Sequence, residues 1–176
     1  LIADALQRGC KHILLGIGGS ATNDAGVGML QALGFRFLNK EGEEIGDGGS
    51  CLSQITQVDS SRILPQLKTC IIEVATDVKN PFYGENGAAC IFAPQKGANQ
   101  EQVQQLDQGL RSFAQLIQDE MGLDIQSVAG AGAAGGLGGG CVAFLNARLI
   151  SGIDQVKACV NFDSIIQDAD LIITGE

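Results

Sequence analysis

An apolar run delivered straight into a glycine-rich loop constrains this chain more than any other feature. His12-Ile13-Leu14-Leu15-Gly16-Ile17 is short and continuously apolar, and it opens into Gly16-Ile17-Gly18-Gly19-Ser20-Ala21-Thr22-Asn23-Asp24. Helical spacing follows at Val27, Leu30 and Leu33, with Gly34 as the stop. A strand of this kind suits a parallel sheet covered on both faces, and strand, glycine loop, helix is the order of an α/β fold. The chain holds 25 glycines in 176 residues, gathered in runs beside apolar segments. A linker would spread them evenly. Clustered glycine lets the backbone approach something closely.

The remaining segments agree with that class. Cys70 to Val78 predicts a second strand ending in the turn chemistry of Asn80-Pro81 and Tyr83-Gly84. Ala88 to Ala93 is a further strand or a short helix. Phe35 to Asn39 alternates in part and Lys40-Glu41-Gly42-Glu43 turns, which predicts an antiparallel hairpin. Asn99 is a good N-cap with Gln102 three residues on, and Val103, Leu106, Leu110, Phe113, Ile117 and Met121 repeat at helical spacing until Gly122. A second glycine run, Gly130 to Gly140, leads into an apolar helix through Phe144 and Leu145. A helix around Asp154 to Val160 then precedes a last strand from Leu171. The expectation is a three-layer α/β unit over residues 1–176, with a mainly parallel sheet, helices on both faces and one antiparallel hairpin. Leu1 opens in mid-helix without an initiator methionine, so the chain reads as cut from something larger.

Composition narrows the function. The formal net charge is −9 and the sequence pI about 4.5, with no basic cluster, which argues against nucleic acid. A polyphosphate ligand would have to be met by local amides, one or two lysines and a bound cation. Six cysteines are scattered singly with only His12 as an imidazole partner, so zinc is not expected. They read as reduced thiols of a cytoplasmic protein. No apolar stretch approaches the roughly 20 residues of a membrane span.

The first loop meets the requirements of an anion cradle. Gly16, Gly18 and Gly19 allow successive N–H groups to converge, the next helix would present its positive end, and Ser20, Thr22 and Asn23 add neutral hydrogen-bonding groups. A strand-to-helix turn capped by those polar residues is the alternative. Asp24 reads either as a cation ligand or proton acceptor beside the cradle or as a charge at a helix start. Asp77 stands at the carboxyl end of a strand, where ligands bind in open α/β sheets. Lys96, in Ala93-Pro94-Gln95-Lys96-Gly97, is a lone cation, and Glu176 ends the last strand as Asp77 ends its own. The second run contains G-x-G-x-x-G at Gly130, Gly132 and Gly135 with Asp154 further on, which opens a dinucleotide-binding alternative. The segment before it is a weak strand. Neither run contains the Gly-Lys-Ser/Thr of a P-loop.

In their order these blocks resemble the bacterial glycerate kinases. They are Gly18-Gly19-Ser20-Ala21-Thr22-Asn23-Asp24, Thr76-Asp77-Val78 with Asn80-Pro81, Pro94-Gln95-Lys96-Gly97-Ala98, the second glycine run, and Ala169-Asp170 through Thr174-Gly175-Glu176. The resemblance implies a non-P-loop kinase fold of two domains, of which these residues are part. It implies ATP-dependent phosphorylation of D-glycerate with Mg2+, 2-phosphoglycerate being the product in the bacterial branch. Phosphate or substrate carboxylate would then meet the glycine runs, including Gly132, Gly135 and Gly136. Asp24, Asp77 and Lys96 would carry the chemistry, with Asp77 and Glu176 toward the metal. The rest of a parent chain is the expected partner, and a homo-oligomer is left open.

Overall fold

The structure is a computed structural model and describes residues 1–173. Three strands, β1 (His12–Gly16), β4 (Ile71–Ala75) and β5 (Arg148–Ile150), form a parallel sheet with β4 in the centre. Two more, β2 (Arg36–Leu38) and β3 (Gln57–Asp59), form a separate antiparallel pair. The helices are α1 (Ile2–Gln7), α2 (Val27–Ala32), α3 (Ala88–Phe92), α4 (Gln100–Met121), α5 (Leu137–Leu145), α6 (Gly152–Cys159) and α7 (Phe162–Ile166). This is the mixed α/β class that the sequence predicts.

α4 forms as its spacing requires. The Asn99 side chain accepts from the Gln102 N–H and the Gln102 side chain accepts from the Asn99 N–H, while Gly122 closes the helix at φ +68. Its apolar stripe buries Leu110, Phe113 and Ile117. Phe113, Phe37 and Phe144 pack with ring centroids 5.6 to 5.8 Å apart, joining α4, the antiparallel pair and α5 into one core.

Several local expectations change. The turn at Lys40–Glu43 yields only a bridge between Leu38 and Glu44, and β2 takes its ladder from β3 instead. Ala88 to Ala93 is helical. β5 is absent from the sequence reading because three residues after Asn146 give no periodicity to detect. Leu171–Ile173 carries no strand assignment, and Thr174–Glu176 lies outside the described residues. β1 alternates rather than being covered on both faces. Ile13 and Leu15 pack on the core, while Leu14 is 47% exposed beside Ile71 at 52%. On that open face Glu73 accepts from Arg148 at 2.9 Å and lies 2.7 Å from His12.

The two glycine runs are clasped backbone to backbone. The Ala25 N–H donates to the Gly135 carbonyl at 3.0 Å. A Cβ on Gly135 would fall on the Thr22 carbonyl, and one on Gly140 would fall on the Ala25 carbonyl. Gly135 has φ +71, and two residues with side chains, Ala25 at φ +56 and Ala134 at φ +55, share the left-handed region where the runs meet. Such non-glycine residues carry strain that surrounding structure must over-determine. Gly135→Ala is therefore expected to destabilise the fold by about 1–3 kcal/mol, as in other overpacked sites, read as a lower urea midpoint with an unchanged slope.

Candidate functional site

At the carboxyl ends of β1 and β4 lies a cavity of about 280 Å³. Gly18, Gly19 and Ser20 of the first run form one wall, and Thr76, Asp77 and Val78 after β4 form a second. Gln95 and Lys96, in the tight turn Pro94–Lys96, face them, and Ala133 and Ala134 of the second run close the remaining side. Gly19 turns the loop at φ +67. Among the described residues, the backbone N–H groups of Gly18, Gly19 and Ser20 donate to no protein acceptor.

Lys96 is the one cation lining this cavity among the described residues. Its ammonium donates to Ser20 Oγ at 2.9 Å and to the Thr22 carbonyl. Both partners are neutral, so the charge is held against the loop without being neutralised. Burial pulls the Lys96 ammonium below its ordinary value of 10.5, and the Asp24 carboxylate opposes that shift.

Asp24 does not line the cavity. It is buried, accepts from the Gly26 and Gly28 N–H groups at 3.0 Å each, and accepts from the Thr22 hydroxyl. The donors at the start of α2 are thereby taken by Asp24, so the positive helix end expected to support an anion is already occupied. Thr22 stands between the two charges, its carbonyl toward Lys96 and its hydroxyl toward Asp24. Asn23 places both polar side-chain atoms where neither water nor a described protein group reaches them.

Asp77 sits where its strand predicts. Its Oδ1 accepts from the Gly152 N–H at 2.9 Å and from Ser151 Oγ at 3.3 Å, which ties the start of α6 to the site. Oδ2 has no hydrogen-bond partner among the described residues. A magnesium ion keeps several waters and takes one or two carboxylates plus phosphate oxygens, and a single free carboxylate oxygen beside a phosphate-sized cavity fits that mode. No group of three metal-ligating side chains occurs among the described residues. Glu176, the second expected metal ligand, lies outside them.

Gly132, Gly135 and Gly136 are buried and do not line the cavity. Gly132 donates to the Asn80 carbonyl at 3.0 Å and has no room for a side chain against Pro81. These glycines bring the second run into place, and its alanines form the wall. The sequence reading gave no site role to Ala133 and Ala134, whose methyl groups carry no chemical signal, or to Thr76 and Gln95, which stood only inside motif blocks. It also missed the buried Asp107, a carboxylate within the apolar stripe of α4. The dinucleotide alternative loses its context: the tight turn Ile125–Ser127, not a strand, precedes Gly130, and Asp154 lines a different recess.

The whole chain, residues 1–176, matches the profile of the glycerate kinase family. The chain belongs to the glycerate kinase family. It is 49% identical to a glycerate kinase of Halalkalibacterium halodurans and 48% identical to glycerate 2-kinase of Escherichia coli, in each case across all of this chain and 46% of the relative. A crystal structure from Salmonella typhimurium LT2, assigned as a glycerate kinase 2, superposes with a TM-score of 0.91 at 46% identity. That match covers 99% of this chain and 47% of the other. The chain thus spans about half the length of the curated relatives it matches. No helix among its described residues is long and apolar enough to cross a membrane.

The Lys96 shift has a signed consequence for stability. Folding disfavours the charged form, so the unfolded chain binds more protons between the lowered value and 10.5. Stability from this residue therefore rises with pH across that window, and the full desolvation penalty is present below it. Urea titrations of wild type and Lys96→Met at neutral pH and at about pH 10 are expected to show wild type gaining on the variant as pH rises.

Proposed function

We propose that these residues form the phosphoryl-transfer site of an ATP-dependent D-glycerate kinase. On this reading the enzyme is cytoplasmic and larger, with two domains, and forms 2-phosphoglycerate. One observation carries the proposal. The lone cavity-lining cation, a carboxylate with a free oxygen and the unaccepted N–H groups of Gly18, Gly19 and Ser20 all border the same cavity. Names given to relatives, including glycerate 2-kinase, support the substrate and the product.

Phosphoryl transfer runs through a loose transition state, so alignment and charge stabilisation carry most of the catalysis. The Gly18–Ser20 amides hold phosphate oxygens, with Ser20 and Thr22 keeping Lys96 aimed at them. Lys96 meets the charge on the transferred group. Asp77 would hold a magnesium ion, which would supply charge neutralisation for the polyphosphate. Glu176 is proposed as a second metal ligand. Asn23, whose amide is buried and does not line the cavity, belongs to the body of the loop rather than to the substrate contact. Asp24 works through Thr22: it fixes the loop on which Lys96 rests. Gly132, Gly135 and Gly136 position the second run rather than touching phosphate.

An ADP-release assay on the full-length protein with D-glycerate and magnesium tests this reading, and absence of turnover overturns it. Asp77→Asn and Lys96→Met are each expected to lower kcat/KM by at least about 100-fold, the usual loss when a transition-state charge partner goes. Asp24→Asn separates the roles. Removing an ionised acceptor from a buried cap costs about 1–3 kcal/mol, so its thermal midpoint is expected to fall together with activity. A loss of kcat at unchanged stability would instead put Asp24 in contact with the reaction.

A further inference from the structure

Asp107 is a buried carboxylate in a helix that has no need of one. It lies in the buried stripe of α4 with Leu110, Ala114 and Ile117, at 9% exposure. An apolar residue there would satisfy the core, and a buried charge is retained only with partners. One partner lies in the segment that follows Asp77 and the other one turn on in α4 itself. Oδ1 accepts from the Gly84 N–H at 2.6 Å, and Oδ2 accepts from Arg111 Nε at 2.8 Å. The Arg111 guanidinium covers the Tyr83 ring at 4.6 Å from its centroid. From the far side, Gln126 accepts from the Tyr83 N–H at 3.0 Å and donates to the Tyr83 carbonyl at 3.1 Å. Two neighbouring residues are thus gripped by three side chains from two elements.

What that grip controls can be followed along the backbone. Asn80 Nδ2 closes the loop on the Asn86 carbonyl at 2.9 Å, and the Asn80 carbonyl receives the Gly132 N–H. Gly132 is pressed against Pro81, and the next two residues are the Ala133 and Ala134 that wall the cavity. We propose that Asp107, with Arg111 and Gln126, is a positioning set for the transfer site: it anchors the Tyr83–Gly84 turn and, through Asn80, sets where the second glycine run stands opposite Lys96. The inference rests on the kinase reading.

Asp107→Leu in the full-length enzyme tests it, because that change refills the apolar stripe while removing the tether. The Arg111 side chain is 45% exposed, so its charge stays solvated once the carboxylate is gone, and with leucine filling the stripe the thermal midpoint is expected to stay near wild type. Displacing a site wall by a fraction of an ångström is expected to lower kcat/KM about ten- to a hundredfold. Deuterium exchange should quicken at the Gly84 and Gly132 amides and not across α4. Gln126 holds the neighbouring Tyr83 from the other side, so the loss of kcat/KM in Gln126→Leu is expected to be non-additive with that of Asp107→Leu. If the leucine variant unfolds, Asp107→Asn, which keeps the Gly84 acceptor, enters the same cycle. Wild-type kcat/KM in the single variants, additive losses, or exchange that quickens evenly through the core would each overturn the positioning role. A parent enzyme without glycerate turnover would sink the kinase reading alone, since the exchange pattern still reports on the tether.

Discussion

The structure depends on a contact between two backbones that meet without side chains. The Ala25 amide on the Gly135 carbonyl, with Gly135 against Thr22 and Gly140 against Ala25, brings the loop after β1 and the run before α5 within van der Waals distance. Two walls of the cavity are referred to this contact. The first run turns toward Lys96 because its far end is pinned, and Ala133 and Ala134 face the space because the glycines on either side are buried. The left-handed conformations of Ala25 and Ala134 show that this geometry is imposed against local preference.

A second dependence runs through Thr22. One residue receives the Lys96 ammonium on its carbonyl and gives its hydroxyl to Asp24, so the carboxylate and the ammonium are linked without forming an ion pair. A direct pair would neutralise the charge that an anionic ligand requires. Placing a neutral residue between them keeps the ammonium oriented and electrostatically available.

The class of the fold was legible because its evidence is periodic. α4 carries six apolar positions and a capping box, and β1 and β4 are apolar runs that end in turn chemistry. β5 and the β2–β3 pairing were not legible, since three-residue strands have no period and β3 lies far from the turn that suggested a hairpin. At the site, Gly18, Gly19, Ser20, Asp77 and Lys96 declared themselves by residue type and came together. Asp24 was found as a residue but not in its setting, because its partners are backbone N–H groups that no side-chain pattern encodes. Ala133 and Ala134 left no trace, for a wall made of methyl groups has no chemistry to recognise.

The three-stranded sheet has β1 and β5 at its margins, and one of its faces shows Leu14 and Ile71. The helices after β5 add Ile153, Val156 and Ile165, all more than half exposed. Margins with unpaired main-chain groups beside apolar surface are templates for intermolecular pairing. A sheet margin flanked by that much apolar surface is where one more strand would gain main-chain hydrogen bonds and apolar cover in a single step.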